Sequence, residues 1–194
     1  MVVTFASGVA RAQTVCDVLI PVALVPPAGG FEPGCGIHRA LERGPVSGAG
    51  GYYVTLEYPA CADGPCAGLT GASKFVCEAA SGYSPCLGVP GPIPPVVGHH
   101  AGPFGPGMDQ RFAGDTDTRA GICFSDYAGN GARLGVVPVI EPVASGAAQA
   151  RVAGFAWIFL TAPVPGNGDL TVEFVAGPTA LRSTTWGRTK ILYR

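Results

Sequence analysis

The sequence predicts an all-β fold, a mainly antiparallel sandwich or partly open barrel with a few short helices and long Pro/Gly loops. Three observations lead there. Apolar residues make up 47% of the chain and gather into β-branched runs; 30 glycines and 19 prolines punctuate those runs; and few segments carry helical spacing. Val-, Ile-, Thr- and aromatic-rich runs bounded by Gly, Pro and Asn are the pattern of short strands joined by turns, whereas a disordered chain lacks such runs. At 194 residues the chain is long enough to bury one core, and 1–194 is read as a single β-rich domain.

Taken in order, Val2 to Phe5 and Thr14 to Val25 read as strands, the apolar run from Val18 to Val25 being fit for burial on both faces before Pro26-Pro27 ends it. Gly36 to Arg43 (GIHRALER) is predicted as a short helix, because Ile37 and Leu41 stand four apart and Gly44 follows. Tyr52 to Tyr58 alternates, with Tyr52, Val54, Leu56 and Tyr58 on one side of a half-buried strand. A short helix is predicted from Ala72 to Ala80, then a Pro/Gly-rich surface loop from Gly88 to Pro106. Arg133 to Ile140, Arg151 to Leu160, Leu170 to Val175 and Lys190 to Tyr193 read as antiparallel strands. There is no internal repeat of fixed period and no heptad.

A formal charge of -1 with only 13% charged residues gives no electrostatic basis for binding nucleic acid or an anionic membrane. Pro21, Pro26 and Pro27 interrupt the longest apolar stretch well short of the about 18 residues a membrane helix needs, so the chain reads as soluble. Ala10-Arg11-Ala12-Gln13 superficially matches a signal-peptidase site, but Met1 to Gln13 lacks a basic start and a proper apolar centre.

Seven cysteines in so weakly charged a chain point to an oxidising compartment. Cys61 with Cys66 and Cys77 with Cys86 are local pairs able to close small loops; Cys16, Cys35 and Cys123 supply a longer-range bridge with one thiol left over. Sequence does not settle the connectivity. Zinc is the rival use, disfavoured by wide spacings and the lack of a C-x2-C pair. A nucleophilic cysteine needs a base, and nothing selects among His38, His99 and His100. The adjacent pair His99-His100 is a poor joint ligand, since neighbours in extended chain point oppositely.

Asp115 and Asp117 are weak calcium candidates. The stretch to Asp126 has EF-hand length, but Arg119 and Ala120 stand where a ligand and the turn glycine belong, so turn formation is the favoured role. Nucleophile-elbow and phosphate-loop motifs are missing, and Glu32, Glu42, Glu57, Glu78, Glu141 and Glu173 are too scattered to select a catalytic pair. Tyr52, Tyr53, Tyr58, Trp157 and Trp186 are read as sheet-core residues, with a binding surface as the alternative.

From Gly98 to Leu160 the order of features resembles the C-terminal ectodomain of TadG-like proteins of tight-adherence (Flp) pilus systems. The residues that carry the likeness are Gly102-Pro103 through Gly107-Met108-Asp109-Gln110-Arg111-Phe112 as a Gly/Pro turn and short helix. Gly129 through Leu134, running into Val136 to Ile140, follows as a glycine turn, Arg and proline-bearing strand, and then comes Val152-Ala153-Gly154-Phe155-Ala156-Trp157-Ile158-Phe159-Leu160. The membrane-anchoring helix typical of such proteins is not found in this chain, and the dense cysteines are not general among them. The resemblance implies an exported, non-enzymatic cell-envelope or extracellular component of pilus assembly or adhesion, without cofactor. It would act through contacts with other pilus or envelope proteins or with itself, and would touch membrane only through an anchor. The alternatives are a secreted glycan- or polymer-binding module using surface aromatics, and a metal-dependent envelope hydrolase.

Overall fold

The computed structural model describes residues 13–15, 19–27, 30–44, 51–59, 62–83, 87–89, 92–93, 101–140 and 150–175. The strands expected at Val2 to Phe5 and Lys190 to Tyr193 lie outside these, as do Ala10-Arg11-Ala12, His99, His100, Trp186, Cys16, Cys61 and Cys86.

The fold is mostly sheet. Its strands are β1 (Gln13–Val15), β2 (Val22–Val25), β3 (His38–Arg43), β4 (Tyr52–Thr55), β5 (Leu87–Val89), β6 (Pro92–Ile93), β7 (Leu134–Ile140), β8 (Ala150–Leu160) and β9 (Leu170–Val175); its helices are α1 (Gly71–Ser81) and α2 (Ala101–Ala113). β1 and β5 form a separate two-stranded ribbon, and the remaining strands form one sheet in the order β6-β8-β7-β2-β4-β3-β9. β8 also pairs with β9, so the succession of hydrogen-bonded neighbours returns to β8. The sheet is mixed: most of its ladders are antiparallel, in line with the mainly antiparallel fold expected, but β2 runs parallel to β7 and β3 parallel to β4.

Burial on both faces of β2 follows the apolar run that encodes it. Val22 and Leu24 enter one cluster with Ile20, Leu41, Tyr53, Val137, Ile158, Val172 and the helices' Phe75, Phe104, Met108 and Phe112. Ala23 and Val25 enter the other, with Leu19, Leu56, Tyr58, Tyr83, Val136, Ile140 and Val152. The alternation from Tyr52 to Tyr58 appears as drawn, all four residues facing the second cluster. Yet β4 is covered on its other face too, where Tyr53 is fully buried and its hydroxyl donates to the Gly168 carbonyl. In β8 the register slips opposite Val139 and Ile140, and the extra residue, exposed Ala153, brings Val152 and Phe155 to the same cluster despite their odd spacing.

The helix expected from Ala72 to Ala80 exists with one more residue at each end. The helix expected over Gly36 to Arg43 does not: His38–Arg43 is a strand. Ladders to β4 and β9 and the burial of Leu41 opposite Leu170 outweigh a two-turn helical spacing that had little propensity behind it. The loop expected from Gly88 to Pro106 is also corrected at both ends, by β5 and by α2, which takes in Pro103 and Pro106. Phe104, Met108 and Phe112 recur every four residues and give α2 the buried stripe that holds it. Gly107 permits its close approach to α1: a Cβ there would stand 2.5 Å from the Ala79 Cβ and 2.7 Å from the Val76 carbonyl oxygen.

Candidate functional site

β3 and β9 are antiparallel with His38 directly opposite Glu173, which puts both side chains on one face of the sheet. That face is turned away from the core that Val172 and Phe174 enter. It is covered by the segment leading into the 3-10 turn Phe124–Asp126, whose Phe124 N–H donates to Glu173 Oε2 at 2.7 Å. Cys123 sits at the start of that turn and is bonded to Cys35, 88 residues earlier. Cys35 reaches it through a tight loop: the Gly34 N–H donates to the Phe174 carbonyl, and Gly36 (φ 81) turns the chain into β3 in a left-handed conformation that favours glycine. Phe31 stacks on Phe174, centroids 4.1 Å apart, and holds the loop against the sheet.

The result is a cluster of His38, Cys123 and Glu173 whose potential ligand atoms all lie within 4.8 Å of one another. Glu173 is buried, while His38 and Cys123 are half-buried. His38 Nε2 is shielded from solvent and has no hydrogen-bond partner. Imidazole, carboxylate and sulfur are donors of a zinc-type site, but a sulfur held in a disulfide is not a thiolate ligand or a nucleophile. In its oxidised form the cluster is a covalent staple beside a buried carboxylate.

The sequence offers each of these residues as a candidate without joining them. The signal that could have found the cluster is Cys35-x2-His38, a ligand-like spacing. Glu173 is out of reach of the sequence pattern, because its pairing with His38 depends on β3 being a strand where the spacing predicts a helix.

The second bridge, Cys66–Cys77, ties the loop before α1 to the helix itself. It replaces the local pairing of Cys66 with Cys61 and of Cys77 with Cys86: Cys77 lies on α1 with its Cα 5.7 Å from that of Cys66, within bonding reach.

Asp115 and Asp117 serve the 115–133 loop. Asp115 accepts from the Asp117 N–H at 2.9 Å, from the Arg133 N–H at 3.1 Å and from the Tyr127 hydroxyl. Asp117 takes a two-pronged contact from Arg119 (2.8 and 2.7 Å) and the Ala128 N–H at 3.1 Å. The Arg119 guanidinium, and after it that N–H, hold the Asp117 carboxyl well below the usual carboxylate range. Burial, then the hydrogen bond to Asp115, pushes the Tyr127 phenol up. These are turn-forming carboxylates occupied by protein donors.

Two arginines are buried as well. Arg133 donates to the carbonyls of Leu160, Asp117 and Arg119, its guanidinium 4.4 Å from the ring centres of both Phe112 and Phe159. Arg111 joins three elements, donating to Ala79 at the end of α1 and to Ala132 and Leu134 where β7 begins; burial pushes it down to about 10.

Of the aromatics, Tyr53 and Tyr58 are buried and Tyr52 and Trp157 pack against the second core cluster. Among the described residues Leu69 is the sole large hydrophobic side chain that is exposed, and no helix is long and apolar enough to cross a membrane. No family model, curated protein or solved structure matches the chain.

Proposed function

We propose that this chain is an exported, non-enzymatic component of a bacterial cell envelope or surface assembly that acts through protein contacts. The observation that carries the reading is the disulfide Cys35–Cys123, which with Cys66–Cys77 belongs to an oxidising compartment, where such bonds persist. The return of strand pairing to β8 is read as a partly closed barrel, an architecture that blunts sheet edges and leaves loops as the contact surface. The TadG-like resemblance adds its support through residues that form α2, β7 and β8, and pilus or adhesion proteins are the partners it suggests. The Asp115, Asp117, Arg119 and Tyr127 side chains of the 115–133 loop are taken up by internal hydrogen bonds, which favours scaffolding over chemistry there. A glycan-binding surface has less support, since Tyr52, Tyr53, Tyr58 and Trp157 serve the core.

The test is fractionation of the source cells with immediate alkylation, followed by mass analysis and cross-linking on intact cells. The expected result is the chain in the envelope or medium with Cys35–Cys123 and Cys66–Cys77 oxidised, cross-linked to surface proteins or to itself. Recovery from the cytoplasm with those four thiols reduced would overturn the reading.

A further inference from the structure

We infer that Cys35, His38, Cys123 and Glu173 form a redox-gated zinc site: closed as a disulfide when oxidised, and able to hold one Zn2+ when the Cys35–Cys123 bond is reduced. The inference does not depend on which partner the protein contacts. It rests on juxtaposition. Three different ligand types from three separated segments (β3, the 3-10 turn and β9) bring their donor atoms within 4.8 Å of one another, and the fourth, Cys35 Sγ, is covalently attached to one of them.

Zn2+ in structural sites is tetrahedral, with Zn–S about 2.3 Å and Zn–N about 2.0 Å, so its ligand atoms stand about 3.3–3.8 Å apart. The separations among His38, Cys123 and Glu173 therefore have to close by at most about 1 Å, and the two sulfurs, once reduced, have to part from bonding distance to about 3.8 Å, movements available to side chains on a loop and at a strand end. Two further features fit an ion. His38 Nε2 is buried without a partner, and an unpaired buried imidazole nitrogen is costly where nothing else satisfies it. Glu173 is buried with Oε2 already oriented by the Phe124 N–H, the kind of outer contact that aims a metal-bound carboxylate. The spacing Cys35-x2-His38 sets the fourth ligand three residues before the imidazole, where the loop enters β3.

The exchange balances. A phosphine delivers two electrons and takes up one water, whose oxygen leaves in the phosphine oxide and whose two protons go to the sulfurs; a dithiol delivers two electrons and its own two protons and leaves as a disulfide; in either case the S–S bond cleaves to two thiols. Zn2+ then binds both sulfurs as thiolates, displacing two protons to solvent, with neutral His38 and the Glu173 carboxylate as the other ligands. Disulfide and ion are thus mutually exclusive occupants of the same sulfur pair.

The experiment titrates the whole chain with Co2+ and then Zn2+, with and without phosphine reduction, and follows uptake by absorption and native mass spectrometry. Oxidised chain should take up no ion at this site. Reduced chain should bind one ion with tetrahedral, thiolate-ligated cobalt absorption. Cys66→Ser with Cys77→Ser should retain it, and His38→Ala or Glu173→Gln should weaken it by more than the about 10- to 100-fold that loss of an outer contact costs. Because a variant can fail to fold, differential alkylation of the reduced wild-type chain provides a second reading: Zn2+ should shield Cys35 and Cys123 while Cys66 and Cys77 stay reactive. Failure of the reduced chain to bind, free alkylation of Cys35 and Cys123 in the presence of Zn2+, or unchanged affinity in folded His38→Ala and Glu173→Gln would each overturn the site.

Discussion

A guanidinium buried without solvent needs neighbours that replace water, and Arg133 shows how far that goes: Nε and Nη1 donate to three carbonyls and the Phe112 and Phe159 ring centres lie 4.4 Å from the guanidinium carbon, while Nη2 finds no acceptor. Two of those carbonyls belong to Asp117 and Arg119, so the loop that receives Arg133 is itself held in shape by the Asp117–Arg119 pair. This makes the loop acid-sensitive, with a definite sign. The Asp117 carboxyl is held below its ordinary value in the folded chain, so the unfolded chain binds more protons than the folded one as pH drops through the normal carboxylate range. The stability it contributes is present above that range and is lost progressively from about pH 5 downward. Thermal melts across acid pH should show the melting temperature falling with pH, and Asp117→Asn should flatten that slope; an unchanged slope in the variant would mean that the carboxylate is not the source. None of this was legible in the sequence beyond the choice of Asp as a turn former. Asp115 and Asp117 announce a turn locally, but their donors at Tyr127, Ala128 and Arg133 arrive from up to 18 residues away.

Among the elements, those best foreseen from sequence were the ones whose pattern was long enough to beat its rivals. β7, β8 and β9 fall where β-branched runs placed them, and α1 where its short helical window did. β3 was misread because a segment of six residues with two apolar positions fits a helix and a strand alike, and only its partners decide. α2 was obscured by Gly102, Pro103, Gly105, Pro106 and Gly107, a composition that locally argues against a helix. Its stability comes instead from the stripe Phe104, Met108 and Phe112 and from close packing on α1. Two of the three glycines of α2, Gly102 and Gly107, separate these contributions. At Gly107 an added methyl meets the Ala79 Cβ and the Val76 backbone, so Gly107→Ala should destabilise by about 1–3 kcal/mol through forced separation of the helices. At Gly102 nothing lies within 4 Å, and Gly102→Ala should be neutral or stabilising by up to about 1 kcal/mol from helix propensity. Urea unfolding of the two variants checks this; equal effects would show that the α1–α2 contact does not limit stability.

At the scale of the whole molecule, the two bridges among the described residues constrain very different amounts of chain. Cys66–Cys77 closes a separation of 11 residues within one local unit, whereas Cys35–Cys123 closes 88 and thereby links β3 to the loop beyond α2. Loop-closure entropy assigns the short bridge about 3 kcal/mol and the long one about 5 kcal/mol, so replacing Cys35 and Cys123 together by Ser should cost roughly 2 kcal/mol more than replacing Cys66 and Cys77. The unfolded chain should also expand more when the long bridge is lost, which raises the dependence of unfolding free energy on urea concentration. Both numbers come from one set of unfolding curves under non-reducing conditions. If the two double variants lose equal stability with the same urea dependence, the strand pairings that return to β8 already restrict the chain between residues 35 and 123. The long bridge would then matter chiefly as the lock on His38 and Glu173. If the long bridge costs more, as expected, covalent closure is what lets a chain with 30 glycines offset the entropy of ordering so many turns, and its reduction would loosen the β3–β9 face along with the loops.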